Sequence, residues 1–472
     1  MIRMKIVMKF GGSSVANGTM IRRAAEIVAK ESTQNQITVV SSAMEGVTDS
    51  LLTMASEVSN RGADPIQKFV RDLYERHLLA IQLGTENSDL QRQAEKKLKK
   101  QLHDLEEVFT GIAILRELTP RSKDHILSFG EQLLVPIFET VLQDLGLKAK
   151  SITGKEAGIV TDDIFGDASP LKEQTRESVR REVGKILRRE TIPVITGFVA
   201  ANQNGNYTTL GRGGSDYTAT IIGDSLDFDE VWILTDVDGF MTSDPRLVPE
   251  ARLLSTISYL EAIEMVAFGA KAMHPKALIP AAEKKIPIRI KNTFNPKSSG
   301  TLIAETEMVP SKRIVKALGL IRDVAMINVS GTEMVGRPGM AGRIFDILGK
   351  NGINILMISQ SVSEANITFL VSRNLSARTV SVLEIAFLGK GLIREVRAED
   401  NVSVISVLGA GMRGTPGIAA KVFGAVASHG INVRMVAQGS SELNISFAVQ
   451  EQDCEEALRV IHKKFKLEMN NY

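Results

Sequence analysis

The sequence predicts an α/β domain on a mostly parallel sheet, followed by two copies of a small α+β module. Three observations carry this. Strand-like apolar runs alternate with helix-periodic stretches as far as about residue 303, the order that sandwiches a parallel sheet between helices. Residues 305–313 then turn polar around Pro310, which marks a domain boundary. Beyond it, GINILMISQSVSEANITFLV from Gly352 aligns without gaps to GINVRMVAQGSSELNISFAV from Gly430, identical at 11 of 20 positions. Upstream, Gly331, Met334, Gly336, Pro338, Gly339 and Phe345 match Gly409, Met412, Gly414, Pro416, Gly417 and Phe423, so the repeat extends over a whole module.

Size and composition narrow the classes of function. A chain of 472 residues exceeds one core and suggests roughly three domains. With 43% hydrophobic and 24% charged residues it has the composition of an ordinary globular protein. The formal net charge of +2 gives no electrostatic case for nucleic acid or a membrane surface. The single cysteine, Cys454, cannot form an internal disulfide and reads as a packing residue, so a reducing, cytoplasmic setting is expected. The N-terminal stretch has no signal-peptide pattern, and no run approaches the ~18 apolar residues of a membrane span.

In chain order, residues 4–10 (MKIVMKF) read as a buried strand, followed by GGSSV and a helix over 20–30. Strand, Gly-Gly, hydroxyl residues and helix form a phosphate-binding turn, with Lys9 as a point charge; a plain turn with a solvated lysine has the same pattern. The spacings of the P-loop and the dinucleotide fingerprint are both absent. The strand over 37–44 ends in Ser41 and Ser42, with Gly46 and Thr48 beyond, at the sheet end where ligands bind in open α/β folds. Residues 64–146 are charged and helical, with Leu98, Leu102, Leu105, Val108, Phe109 and Ile112 at helical spacing, so a helical insertion covers the sheet. Thr119-Pro120 reads as an N-cap with proline at the first helical position. The helix that follows carries Glu131 as the one acid of an apolar stretch, HILSFGEQLLVPIF, placed either on the surface or in a cleft against an amino group.

A buried strand over 192–199, with Phe198 at its end, leads to TTLGRGGSDYTA (208–219). Its three glycines let backbone approach a ligand, and the next helix opens with free N–H groups. Arg212 adds a fork of donors suited to a carboxylate or phosphate; Asp216 adds a carboxylate for an ammonium group or a metal. A tight strand-to-helix turn would account for the glycines alone, though not for Arg, Ser215 and Asp together. VWILTDVDGFMTSDPR places Thr235 and Asp236 at another strand end, followed by a turn with Asp244, Pro245 and Arg246. FGAKAMHP carries Lys271 and His274; His274 has no Cys, His or acid at ligand spacing and reads as structural rather than as a zinc ligand. IPIRIKNTFNP supplies the last strand of the domain.

Taken together, KFGGSSV, VVSSAMEGVTD, SFGE, TTLGRGGSDYTA, TDVDGFMTSDPR and FGAKAMHP resemble the aspartokinase family of the amino acid kinase superfamily, over essentially the whole chain. The resemblance implies an amino acid kinase fold over residues 1–305 and two C-terminal ACT (βαββαβ) domains, the first over 322–396 and the second assembled from 310–321 plus 397–472. It implies the monofunctional type, without a fused dehydrogenase. The implied activity is ATP- and Mg²⁺-dependent phosphorylation of the side-chain carboxylate of L-aspartate, at the head of lysine, threonine and methionine biosynthesis.

The resemblance assigns roles by position. Lys9 and Asp216 are the implied catalytic pair, and Ser42, Thr48, Glu131, Phe198, Arg212 and Ser215 the implied aspartate pocket. Asp216 faces the amino group or organises Lys9 or the metal. Lys9, Gly11, Gly12, Ser13, Thr235, Asp236, Arg246, Lys271 and Ala272 are the implied ATP contacts, and no protein side chain is assigned to the metal. Met241 stands where the family usually has an aromatic residue, and Ala272-Met273 where it has Val-Leu. The ACT pair implies feedback by an end product, with Gln360, Asn366, Gln438 and Asn444 as candidate contacts. A glutamine in both copies favours threonine over lysine, and paired modules imply a homodimer or larger assembly. The alternatives are a kinase acting on glutamate or N-acetylglutamate and a catalytically inactive amino-acid sensor. SFGE with two ACT modules weighs against the first, and intact Lys9, Arg212 and Asp216 against the second.

Overall fold

The computed structural model describes residues 3–270, 272–305 and 313–469. The chain divides into two compact units: Met1–Phe240, Ser255–Ala262 and Lys271–Val309 form one; Met241–Leu254, Ile263–Ala270 and Pro310–Tyr472 form the other. Two segments from within 1–305 are thus packed with the C-terminal unit. Among the described residues no helix is long and apolar enough to cross a membrane.

The first unit opens with β1 (Lys5–Phe10), α1 (Gly18–Ser32) and β2 (Gln36–Ser41). Four helices follow, α2 (Val47–Arg61), α3 (Ile66–Gly84), α4 (Ser88–Leu115) and α5 (Pro120–Asp144). Then come β3 (Ala149–Ile152), α6 (Gly154–Ala157), β4 (Val160–Thr161), α7 (Lys172–Leu187), β5 (Ile192–Thr196), β6 (Val199–Asn202), β7 (Tyr207–Thr209) and α8 (Gly214–Leu226). β8 (Glu230–Thr235), β9 (Thr256–Ser258), α9 (Tyr259–Ala267), α10 (Pro275–Lys284), β10 (Ile288–Asn292) and β11 (Thr301–Ala304) complete the region.

The main sheet runs β3-β5-β2-β1-β8-β10-β11-β9, parallel at every pairing except β10 with β11. Its central strand KIVMKF is buried at every residue after Lys5, as a strand covered on both faces must be. The carboxyl ends of β1, β2 and β8 therefore open side by side. The insertion over 64–146 consists of α3, α4 and α5. Leu98, Leu102, Leu105, Phe109 and Ile112 of α4 are buried as their spacing predicts, and Val108 is partly buried. Thr119 caps α5 by accepting the Ser122 N–H at 3.1 Å, with Pro120 in the first turn.

Two features differ from the sequence reading. The strand expected over 192–199 breaks into β5 and β6 at Gly197-Phe198, where Phe198 takes φ +63°. A side chain at Gly197 would put its Cβ 2.5 Å from the Ser215 Cβ, so the break lets α8 close on the strand. β6 then leaves the main sheet for a three-stranded one with β4 and β7. β10 is also not the last strand, because β11 returns antiparallel beside it and pairs with β9.

The second unit holds β12 (Ala317–Ser330), α11 (Met340–Lys350), β13 (Met357–Gln360), β14 (Asn366–Ser372), α12 (Ser376–Phe387), β15 (Glu395–Leu408), α13 (Ile418–Ala427), β16 (Met435–Ala437), β17 (Asn444–Gln450) and α14 (Cys454–Lys464). Its sheet runs β13-β14-β12-β15-β17-β16. β12 and β15 each span both modules. Ala317–Ile321 pairs with Val404–Leu408 and Met326–Ser330 with Glu395–Glu399, with register shifts around Val324. The repeat recurs in the packing: Phe345 lies edge-on to Phe369, and Phe423 edge-on to Phe447, at centroid distances of 6.4 and 5.6 Å.

Candidate active site

A cleft of about 410 Å³ opens in the first unit at the carboxyl ends of β1 and β2. Lys9, Gly12, Ser42, Thr48, Glu131, Phe198, Arg212, Ser215 and Asp216 line it, together with Gly46, Asp49 and the glycines at 211, 213 and 214. Residues separated by some 200 positions in the chain thus share one cavity.

Lys9, the next-to-last residue of β1, is almost out of solvent, at 8% exposure, and its Nζ lies 2.6 Å from Asp216 Oδ1. Asp216 stands in the first turn of α8, where the helix dipole favours an anion. Gly213, at φ +73°, precedes that helix as its N-cap, and a Cβ there would sit 2.1 Å from the Cβ of His274. His274 in turn caps α10 by accepting the Lys276 N–H at Nδ1. Arg212, held between two left-handed glycines, is exposed and makes no hydrogen bond or ion pair with another described residue. Its guanidinium is therefore available to an anion.

Glu131 is not on the surface. Only 3% of it is exposed, and burial pushes its carboxyl up to about 8, although the Ala43 N–H and the Lys9 charge pull the other way. One of its oxygens, Oε2, has no hydrogen-bond partner among the described residues. Once ionised, that oxygen is a buried acceptor facing a cleft, which calls for a donor such as an ammonium group. Phe198 lines the cleft with its strained backbone fixed by an N–H bond to Thr218 Oγ1 at 3.1 Å.

The other expected positions lie outside this cavity. The Gly11 N–H is already given to the Leu234 carbonyl at 3.1 Å, which leaves Gly12 as the glycine of the turn that faces the cleft. Ser13 follows in a short 3₁₀ turn. Thr235 and Asp236 sit at the end of β8, linked by a 3.1 Å hydroxyl–carboxylate bond, with Asp236 exposed. Arg246 belongs to the second unit, where it pairs with Asp244 at 2.6 Å. Ala272 is buried, and Lys271 lies outside the described residues. Of the effector candidates, Gln360 and Gln438 are exposed, and Asn444 donates to the Glu264 carboxylate within the second unit. The sequence reading missed Asp124, a fully buried acid on α5, because RSKDH looks like a solvated first turn.

A glycine turn with a lysine beside it, facing an arginine and two acids at the end of a parallel sheet, defines a phosphotransferase of the amino acid kinase family, whose model matches residues 4–292. The ACT domain model matches twice, over 327–387 and 405–465. Within that class the chain belongs to the aspartokinases, ATP-dependent kinases. It is 32% identical to aspartokinase 1, chloroplastic, of Arabidopsis thaliana, over 97% of this chain and 80% of that one. Its structure matches E. coli aspartokinase III in complex with aspartate and ADP (TM-score 0.80, 26% identity, 97% and 99% of the two chains covered). It also matches the same enzyme in complex with lysine and aspartate (TM-score 0.82, 27% identity, 98% and 99% covered).

Proposed function

We propose that the chain transfers the γ-phosphoryl group of ATP to the side-chain carboxylate of L-aspartate, giving 4-phospho-L-aspartate and ADP, the first step toward lysine, threonine and methionine. The observation that carries this is the Lys9–Asp216 pair in one cleft with Arg212 and an unsatisfied Glu131. These groups match the three charges of aspartate. Arg212 takes the α-carboxylate as a bidentate partner, Glu131 and Asp216 take the α-ammonium, and the remaining carboxylate turns toward Lys9. Ser42, Thr48, Phe198 and Ser215 shape the pocket.

The chemistry asks for positioning and charge neutralisation rather than a general base, since a carboxylate is already a nucleophile at neutral pH. A carboxylate oxygen forms a bond to the γ-phosphorus while the bond to the β–γ bridging oxygen breaks, and the electron pair leaves with ADP. The Lys9 ammonium and the Gly12 turn, with Ser13 beside it, stabilise the transferring group. Thr235, Asp236, Lys271 and Ala272 are the proposed nucleotide contacts of the first unit. Mg²⁺ is proposed to enter with ATP, with no protein side chain assigned to it. When bound, that ion would supply neutralisation of phosphate charge.

The paired modules are proposed to hold an end-product amino acid through Gln360, Asn366 and Gln438, while the Asn444 amide is engaged by the Glu264 carboxylate; threonine is favoured over lysine, in a homodimer or larger assembly in the cytoplasm. The test is ADP release with ATP, Mg²⁺ and L-aspartate, beside L-glutamate and N-acetylglutamate, each with and without threonine or lysine. Turnover of aspartate alone, lost with one end product, is the expected result. Folded protein inactive on all three substrates would sink the kinase reading and leave an amino-acid sensor.

A further inference from the structure

The Asp124 carboxylate is fully buried outside the cleft, and three donors converge on it. Its Oδ2 accepts the Gly166 N–H at 2.8 Å and the Thr209 N–H at 2.9 Å, and its Oδ1 accepts the Thr209 hydroxyl at 2.9 Å. The Thr209 carbonyl is held from the other side by the Ala168 N–H at 2.9 Å. Thr209 is therefore fixed at its amide, its hydroxyl and its carbonyl, and it is the last residue of β7, three positions before Arg212. The next amide, that of Leu210, donates to the Phe198 carbonyl at 3.0 Å, so the same strand end also sets a cleft-lining residue.

Asp124 precedes Glu131 by seven residues on α5, two turns on nearly the same helix face and about 10 Å along the axis. One rigid helix thus carries the acid in the cleft and the anchor of the loop that carries Arg212. Burying a carboxylate is costly unless it is fully hydrogen-bonded, and the mechanism above has no use for this one.

We propose that Asp124 is a positioning residue for aspartate: by anchoring Thr209 to the helix of Glu131, it sets the distance between the Arg212 guanidinium and Glu131 to the span between the carboxylate and ammonium groups of an α-amino acid. This rests on the reading of the cleft as an aspartate site. It separates Asp124 from a core acid that merely stabilises the fold, because only a positioning role acts on one substrate.

The test is steady-state kinetics of the full-length protein with Asp124→Ala, Asp124→Asn and Thr209→Val. Asn can accept both N–H donors at the Oδ2 position and donate to the Thr209 hydroxyl, so it keeps the geometry without the charge. Asp124→Ala is expected to raise the KM for aspartate at least tenfold and leave the KM for ATP within twofold. Asp124→Asn should stay within about threefold of wild type on both, and Thr209→Val, which drops only the hydroxyl, should raise the aspartate KM about threefold. Folded Asp124→Ala protein with an unchanged aspartate KM, or with both KM values rising together, would overturn the proposal. If Asp124→Ala does not fold, an unchanged aspartate KM in Thr209→Val overturns it. Wild-type protein that does not turn over aspartate overturns the functional reading itself, whereas an active wild type with indifferent variants overturns this inference alone.

Discussion

Lys9 Nζ and Asp216 Oδ1 meet at 2.6 Å, one side chain from the end of the central strand and the other from the first turn of the helix that packs on it. Each is about a tenth exposed, so each depends on the other for compensation. On the proposed transfer, the pair places a cation where phosphoryl charge develops and keeps it oriented before substrates arrive. Lys9→Met should lower kcat by about 10²–10³-fold, the size of effect seen when one preorganised electrostatic contact is removed. It should also destabilise the protein by about 3–5 kcal/mol by orphaning Asp216. The double variant Lys9→Met/Asp216→Asn should recover most of that stability and none of the activity. Thermal melts with single-turnover rates check both, and an additive stability loss would refute the pairing argument.

Glu131 predicts a pH dependence. Its carboxyl is raised from an ordinary 4.5 to about 8, so the native state keeps a proton that the unfolded chain releases. Stability from this group is greatest below pH 4.5 and falls as pH rises toward 8, by up to about 1.4 kcal/mol per pH unit. An ammonium beside Glu131 favours the ionised form, so aspartate binding below pH 8 expels a proton, and its KM should fall from pH 6.5 to 8 before levelling. Calorimetry in buffers of different ionisation enthalpy should detect that proton in wild type and miss it in Glu131→Gln. Buffer-independent heats in wild type would contradict the assignment.

Gly213 has two reasons to be glycine: a left-handed φ of +73° and a neighbour, His274, whose Cβ would lie 2.1 Å from an added methyl. Gly213→Ala should cost about 2–4 kcal/mol, the sum of left-handed strain and a displaced helix cap. Because Gly213 adjoins Arg212, the aspartate KM should rise more than that of ATP. Adding His274→Gly, which removes the clashing Cβ, should return part of the lost binding. If it returns none, the steric account is wrong.

How far the sequence discloses this site depends on how local each signal is. Lys9, Arg212 and Asp216 sit in glycine turns whose chemistry is written within a few residues, and they are legible. Glu131 stands out only as an acid in an apolar run. Asp124 has no such contrast, since its donors are contributed by Gly166 and Thr209, 42 and 85 residues away. α4 shows its apolar face because the opposite one is solvated. α5 is buried continuously from Ile126 to Leu142, so it offers no period from which to read its central place. The break at Phe198 depends on the closeness of Ser215, a tertiary fact, and β11 on a return of the chain that four residues of TLIA do not announce. The repeat was fully legible, whereas the fusion of its strands into the 14-residue β12 and β15 was not.

The two modules align residue for residue, yet their asparagines are used differently. The Asn444 side-chain amide donates to the Glu264 carboxylate of α9, with both residues in the second unit. Asn366, at the same place in the other copy, makes no side-chain hydrogen bond with a described residue and is free to meet a ligand. Asn366→Ala should therefore move the midpoint of end-product inhibition at least tenfold. Asn444→Ala should move it less than threefold while lowering the melting temperature, because it leaves the Glu264 carboxylate without its donor. Inhibition curves for the two variants, taken with melts, separate the roles. Equal midpoint shifts would mean that both modules hold the effector and that the bond to Glu264 gives way when it binds.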